Sequence, residues 1–344
     1  MRIAIFLPNW LGDLVMATPA LRAVRRHFGP QAHIVGILRP YLAEVLGGTG
    51  WLDQQWFFDP RAKDRSLHAW AVAQRMRQQR FDLALLLPNS LRTALVAWLG
   101  RARQRIGYVR NGRGPLLTGK LYPQRTGRRI ADVPVVDAYL GLAEVLGCPQ
   151  EPPRLELAVT EDDDLSAAAV WKNLGLRTDG QVIAINSGSS NGPARSWPAE
   201  YFAQLATRIV DHLDHDVLVM CGPGGQETAR QIVRNADRPR VFSMAGQPLG
   251  LGTSKACLRR VRAMVSTDSG PRHVAAAFGK PVVTLRGPTV PIWSYNPTVR
   301  AVDLHLNLDC VPCRKPVCPL GHHKCMRELS VDMVFAAVNT IVEG

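Results

Sequence analysis

Short runs of branched and aliphatic residues recur along this chain, each followed by a small-residue loop and then a stretch with helical spacing. Few architectures accept that alternation. Strands buried on both faces read as continuous apolar runs, and parallel neighbours need a crossover that a helix supplies. The pattern predicts strands at 2–7, 33–38, 55–58, 83–87 and 105–108, with helices at 18–27, 66–79, 91–99 and 135–146. The segment Cys148-Pro149-Gln150-Glu151-Pro152-Pro153 reads as a linker. After a helix at 161–174 the alternation restarts, with strands at 182–186, 217–221, 240–243, 263–265 and 282–285 and a helix at 272–278. The expected class is therefore α/β, with two Rossmann-like halves. At 344 residues and 46% hydrophobic, the chain suffices for two separate cores.

No apolar run approaches the length of a membrane-spanning helix. The first strand meets Pro8-Asn9 too early for a signal segment, so a cytoplasmic protein is expected. The formal charge is +14, which favours polyanionic partners: nucleic acid, anionic lipid or phosphorylated substrates. Nucleic acid is disfavoured, because binding a single strand calls for aromatic platforms among the cations. In the basic stretch 101–130 only Tyr108 and Tyr122 are aromatic. Cys310, Cys313, Cys318 and Cys325 cluster around His322 and His323. The cluster has three readings: a structural metal, reduced thiols that pack a loop, or a disulfide or redox pair.

In open parallel sheets, ligands sit beyond the carboxyl ends of the strands, so the loops that follow strands carry the chemistry. After the first strand, Gly12 permits close backbone approach. Asp13 beside it is either a helix N-cap or a general base. After the fourth strand come Asn89 and Ser90, with Arg92 opening a basic stretch suited to an anionic acceptor. In the second half, Ser187 and Ser189 can wrap phosphate oxygens, and Arg195 can neutralise them with a forked donor. Glu227, in the first turn of a helix, fits either ribose hydroxyls or the helix dipole. Asp268-Ser269-Gly270, with His273 just inside the next helix, reads as a diphosphate-holding strand–loop–helix, because first-turn N–H groups lack intrahelical partners.

The loops in this order and spacing resemble the ADP-heptose:lipopolysaccharide heptosyltransferases of glycosyltransferase family 9, closest to the branch that adds the second heptose. The matching pieces are LPNWLGDLVMATPALRA (7–23), LLPNSLRTAL (86–95), GPARSWP (192–198), STDSGPRHVAAAFGKPVV (266–283) and CVPCRKPVCPLGHHKCM (310–326). The resemblance implies a GT-B fold, two Rossmann-like domains facing each other across a cleft. It places acceptor binding in 1–153, ADP-sugar binding in 154–330, and a final helix, 331–344, returning to the first domain. It assigns the catalytic Asp to Asp13 and the phosphate-binding loop to Asp268-Ser269-Gly270. The family's phosphate-binding Lys falls on Arg195, a departure that keeps charge but changes geometry. Arg272 and the segment Gly287-Pro288-Thr289-Val290-Pro291 also depart from the family pattern.

The expected reaction is inverting transfer of L-glycero-D-manno-heptose from ADP-heptose to the heptosyl-Kdo-lipid A inner core, with no cofactor required for catalysis. The acceptor is a membrane lipid, which predicts peripheral attachment to the inner face of the cytoplasmic membrane through its anionic surface. The rival readings are another nucleotide-sugar enzyme of the same fold, such as a 2-epimerase, and a basic non-catalytic nucleic-acid-binding protein.

Overall fold

The apolar runs pair side by side and all parallel, as aliphatic strands do when helices cover both faces of a sheet. A computed structural model describes residues 1–188 and 192–343. The chain divides into two units, Met1–Ala158 with Ile292–Asn296, and Val159–Pro291 with Pro297–Gly344.

In the first unit β1 (Arg2–Phe6), β2 (His33–Leu38), β3 (Gln54–Phe57), β4 (Leu83–Leu86), β5 (Gln104–Tyr108) and β6 (Gly119–Leu121) form one sheet in the order β3-β2-β1-β4-β5-β6. The helices are α1 (Leu11–Met16), α2 (Thr18–Phe28), α3 (Ala69–Gln79), α4 (Leu91–Leu99) and α5 (Val135–Glu144). A small hairpin joins β7 (Arg125–Thr126) to β8 (Arg129–Ile130). Alternate strand residues sort to the two faces. Ala4, Phe6, Val35, Ile37, Ala84 and Leu86 pack with Val72, Ala73 and Met76 of α3 and Ala94, Val96 and Ala97 of α4. Each fully buried Ile, Leu or Phe contributes roughly 1.5–3 kcal/mol relative to exposure, so these faces outweigh local propensity.

The second unit repeats the plan. Strands β9 (Val182–Asn186), β10 (Asp216–Met220), β11 (Val241–Ser243), β12 (Ala263–Thr267), β13 (Val282–Leu285) and β14 (Ala301–Leu304) run in the order β11-β10-β9-β12-β13-β14. Its helices are α6 (Glu161–Leu174), α7 (Ala199–Leu213), α8 (Gln226–Ala236), α9 (Leu251–Arg260), α10 (Gly270–Ala277), α11 (Lys324–Arg327) and α12 (Val331–Glu343). Helix α6 begins on a capping box: the Thr160 side chain accepts from the Asp163 N–H, and the Asp163 side chain accepts from the Thr160 N–H. It ends at Gly175, whose φ of 71° suits a left-handed C-terminus.

Three differences from the sequence reading have physical causes. Helix α1 lies inside what reads as a loop; it starts because the Trp10 carbonyl accepts the Leu14 N–H at 2.9 Å. Strands β6 and β14 were not expected, because edge strands lack a continuous apolar run and none of their residues is buried. The unit boundary falls at Ala158/Val159, beyond the expected linker. Buried Arg22 of α2 holds that linker to the first unit, donating to Glu151 at 2.6 Å, Glu156 at 2.8 Å and the Arg154 carbonyl at 3.1 Å. The resemblance implies a final helix that returns to the first domain. Helix α12 instead packs on α7, β12, β13 and β14 of its own unit. The segment that joins the first unit is Ile292–Asn296, where Trp293 donates to Asp132 at 2.8 Å and Asn296 to the Pro153 carbonyl at 2.7 Å.

Each sheet reverses its strand order once, between β1 and β4 and between β9 and β12. Such a reversal leaves a crevice beyond the carboxyl ends, because the connecting helices leave to opposite faces. The loops that position chemistry are thereby selected: those after β1 and β4, and those after β9 and β12.

Candidate functional site

Asp13 lies in the loop-and-helix after β1, as the third residue of α1. It is not the N-cap, since Trp10 takes that position with extended backbone and no side-chain capping bond. Leu14, Val15 and Met16 are buried and anchor the short helix, while Gly12 and Asp13 stay half-buried. Two phenols feel the Asp13 charge. Burial first, and Asp13 second, push Tyr139 of α5 well above its ordinary pKa. Tyr41 is raised by burial, with Arg39 opposing and Asp13 adding to the rise. Both phenols therefore stay protonated beside the carboxylate.

The loop after β4 is fastened from beneath by Arg113, a fully buried cation. Its guanidinium donates to the carbonyls of Pro88 and Tyr108, the latter at 2.8 Å, and to Asn89 Oδ1 at 3.0 Å. Burial first, and Arg110 second, pull its pKa down to about 10. Gly107 leaves the room: a Cβ there would stand 2.9 Å from the guanidinium. This arrangement presents Asn89 and Ser90 half-buried at the start of α4, with Arg92 exposed in its first turn. By sequence Arg113 belongs to the basic stretch suited to an anionic acceptor, whereas the fold buries it. The missed signal was the paired glycines around Arg113 and Gly107, which only the fold relates.

In the second unit the two loops at the strand reversal are tied to each other. Asn186, the buried last residue of β9, donates to Ser269 Oγ at 3.0 Å and to the Gly188 carbonyl at 3.1 Å. Thr267 donates to that same carbonyl at 3.0 Å. Asn186 was not among the expected site residues. A polar residue that ends an otherwise apolar central strand was the available signal. Ser187 is half-buried beside it, and Ser189 lies outside the described residues. Ser269 occupies the N-cap of α10 without a side-chain capping bond, its hydroxyl being engaged by Asn186. The first turn of α10 therefore keeps N–H groups for an anion.

Asp268 points to two buried guanidiniums, Arg272 at 3.0 Å and Arg286 at 3.3 Å. Arg286 continues to Asp303 at 2.8 Å. Burial alone would raise the Asp268 pKa; Arg272 and Arg286 overcome that and hold it well below the ordinary carboxylate range. His273, also buried, is pushed far below its ordinary value by burial and by Arg272, so its imidazole is neutral. The two arginines thus act as the foundation of the loop, with the departure Arg272 supplying one of them. Glu227 stands in the first turn of α8, 73% exposed, and pairs with Arg234 at 2.8 Å.

Arg195 closes a one-turn helix at Pro193–Arg195 and is half-buried. Among the described residues no acidic side chain pairs with it. The four-cysteine segment braces this turn. The Ala194 N–H donates to the Pro316 carbonyl at 3.0 Å, and His323 Nε2 lies 2.7 Å from the Ala194 carbonyl. Gly192 has φ 95°, and a Cβ there would meet the Pro316 carbonyl oxygen at 2.4 Å, so both backbone and space demand glycine. Gly287 is similarly confined, a Cβ meeting Met326 Sδ at 2.7 Å. Cys310, Cys313, Cys318 and Cys325 are free thiols that line a cavity of about 20 Å³ behind Ala194 and Pro288. Burial first, then the neighbouring thiols, push Cys325 up to about 11. In the structure the four thiols pack this loop. No disulfide joins them, and among the described residues no group of three or more His, Cys, Asp or Glu is set to hold a metal ion.

Residues 69–324 match the family described as Glycosyltransferase family 9 (heptosyltransferase). The "Lipooligosaccharide heptosyltransferase 2" of Campylobacter jejuni subsp. jejuni is 26% identical over 361 residues, spanning 100% of this chain and 99% of that relative. Among solved structures, a glycosyl transferase family 9 protein from Veillonella parvula superposes with TM-score 0.83 at 24% identity, covering 99% of this chain and 97% of the other. ADP-heptose lps heptosyltransferase II of E. coli gives TM-score 0.79 at 23% identity, covering 100% and 99%. The likeness to these two structures is one of fold, a GT-B-like pair of parallel α/β units.

Proposed function

This chain belongs to glycosyltransferase family 9, the heptosyltransferases, and on that premise we propose that it adds the second heptose to the lipopolysaccharide inner core. The donor is ADP-heptose and the acceptor the heptosyl-Kdo-lipid A core. The observation that carries this reading is the donor half-site. At the strand reversal of the second sheet, an uncapped helix start and Arg195, with no acidic partner among the described residues, are offered on loops pinned from behind.

In the proposed step, the acceptor oxygen attacks the anomeric carbon with inversion while the bond from that carbon to the diphosphate oxygen breaks. Asp13 takes the acceptor proton. The electron pair leaves on ADP, whose new charge is met by Arg195 and by the N–H groups at Gly270 and beyond. Ser187 and Ser269 line the phosphate oxygens, and Glu227 takes the ribose hydroxyls. Asp268 and His273 act on that site from behind, the first by its ion pairs and the second as a neutral imidazole. Gly12, Asn89, Ser90 and Arg92 receive the acceptor sugar. The reading assigns no cofactor to catalysis, since side-chain cations and helix N–H groups serve the leaving group.

Incubation with ADP-heptose and a one-heptose core acceptor tests the reading. A mass gain of one heptose is expected, and absence of transfer with ADP-heptose, alongside transfer from a UDP-sugar, would replace it by the rival nucleotide-sugar enzyme. Arg195→Ala is expected to weaken ADP-heptose binding at least tenfold by calorimetry, the scale of one lost charge-assisted contact. Unchanged affinity would remove Arg195 from the phosphate site.

The acceptor is a lipid, and a net charge of +14 supports peripheral attachment to the anionic inner face of the cytoplasmic membrane. Among the described residues no helix is long and apolar enough to cross a membrane.

A further inference from the structure

Helix α4 is apolar on the side that should face water. Its inner residues Thr93, Ala94, Val96 and Ala97 are buried against the sheet. Its outer residues Leu91, Leu95 and Trp98 are 49%, 40% and 49% exposed. Their spacing, four and then three residues, puts them in one stripe along the helix. The adjoining helix adds to it. Trp70 of α3 is exposed, with the Arg77 guanidinium 5.6 Å from its ring centre. Arg77 also donates to the Leu99 carbonyl at 2.5 Å, tying α3 to the end of α4.

The charges in this stretch of chain are nearly all basic. Between residues 69 and 103 the chain carries Arg75, Arg77, Arg80, Arg92, Arg101 and Arg103, against Asp82 as the sole acid. Arg103 is 83% exposed, and Arg92 and Arg101 are exposed at the two ends of α4. Leucine and tryptophan beside arginine is the composition that settles at the boundary of acyl chains and anionic headgroups. A protein partner of matching shape would need acidic residues around an apolar centre. A bilayer supplies both without any fitted shape.

We propose that the outer face of α4, with Leu91, Leu95 and Trp98 inserted and the flanking arginines on headgroup phosphates, is where this protein docks on an anionic bilayer. The position suits the lipid-linked acceptor, and to that extent the inference rests on the function proposed above. Helix α4 starts directly after Asn89-Ser90 of the acceptor loop. At 1.5 Å per residue, Trp98 lies roughly 12 Å along the helix from that loop. Charge alone would give binding that salt removes. The apolar stripe adds a component that salt does not screen.

The test is sedimentation with vesicles of equal parts phosphatidylglycerol and phosphatidylcholine, against phosphatidylcholine alone. The full chain should bind the anionic vesicles and retain part of that binding at high salt. Combined Leu91→Ser, Leu95→Ser and Trp98→Ser should lower the partition coefficient by at least roughly tenfold, from the lost apolar burial. The same variant should transfer to a delipidated, water-soluble core acceptor at the parent rate. Trp98→Phe provides a second measurement that leaves the packing nearly intact: quenching of protein fluorescence by brominated lipid should drop. The proposal is overturned if the parent ignores anionic vesicles, if the triple variant binds as the parent does, or if Trp98→Phe leaves quenching unchanged. It is also overturned if the parent proves dimeric and the triple variant monomeric, because a second copy then covers the face. Vesicle binding uses no sugar, so a failure of heptose transfer leaves this result standing, and the reverse.

Discussion

Asp13→Ala is expected to cut heptosyl transfer by roughly 10²–10⁴-fold, the range for loss of a general base, while ADP binds as to the parent. The two quantities separate because Asp13 belongs to the first unit, whereas the proposed ADP ligands belong to the second. The fold should tolerate the change. Helix α1 is held by buried Leu14, Val15 and Met16, and Asp13 is half-buried rather than enclosed. Initial rates with ADP-heptose and calorimetry with ADP, on the same preparation, check both halves. Turnover near that of the parent would remove Asp13 from proton transfer. The neighbouring Tyr139 gives no substitute base, since burial, the larger cause of its raised pKa, persists without Asp13 and keeps the phenol protonated.

Asp268→Ala is expected to cost about 3–5 kcal/mol of stability, the scale for stripping one partner from a buried ion pair. Arg272 is 95% buried by its 5% side-chain exposure, and its Nη2 already lacks a hydrogen-bond partner among the described residues. Burial lowers the Arg272 pKa, yet a guanidinium starts too high to shed its proton, so the variant would hold an uncompensated charge. Urea unfolding of the second-unit transition measures the loss. The sign of the pH dependence follows from the same pair. The Asp268 pKa is held below its ordinary value of 3.8, so its stabilisation is complete above that value and is lost as pH falls toward the folded pKa. The parent should therefore lose stability over that acid window more steeply than Asp268→Ala. A variant as stable as the parent, with the same acid profile, would show that the carboxylate is not holding the arginines.

The expected strands at 33–38, 182–186 and 282–285 and the helices at 91–99 and 161–174 coincide with the observed elements. Each is a strongly patterned segment whose local signal and tertiary burial agree. Helix α1 and strands β6 and β14 escaped, since six residues rich in loop chemistry and two edge strands show no period to read. The site divides in the same way. Asn89, Ser90, Ser269 and Gly270 sit at strand reversals, as loops after strands should. Asn186, Arg113 and Arg286 were not foreseen, because each earns its place through partners far away in sequence, such as Ser269, Asn89 and Asp268.

The four-cysteine segment shows the limit from the other side. Its density of thiols suggests a metal among other readings, whereas only the fold shows the brace, in which Pro316 and His323 hold the backbone of Ala194 and Met326 fills the space that Gly287 leaves.

What the chain determines by itself is what depends on near neighbours. Alternating apolar runs require parallel α/β units, because only crossover helices can cover both faces of such strands. Small and hydroxyl residues after strands mark anion loops, because helix starts carry unpaired N–H groups. Tertiary structure alone decided which charged residues are enclosed by partners and which are presented on a loop. Asp268 and Arg195 read alike as polar residues in phosphate loops, yet one is enclosed by two guanidiniums and the other is presented on a braced turn. The reason is physical: a charge is assigned by what desolvates and neutralises it, and those partners meet only when the sheet brings β9, β12, β13 and β14 together.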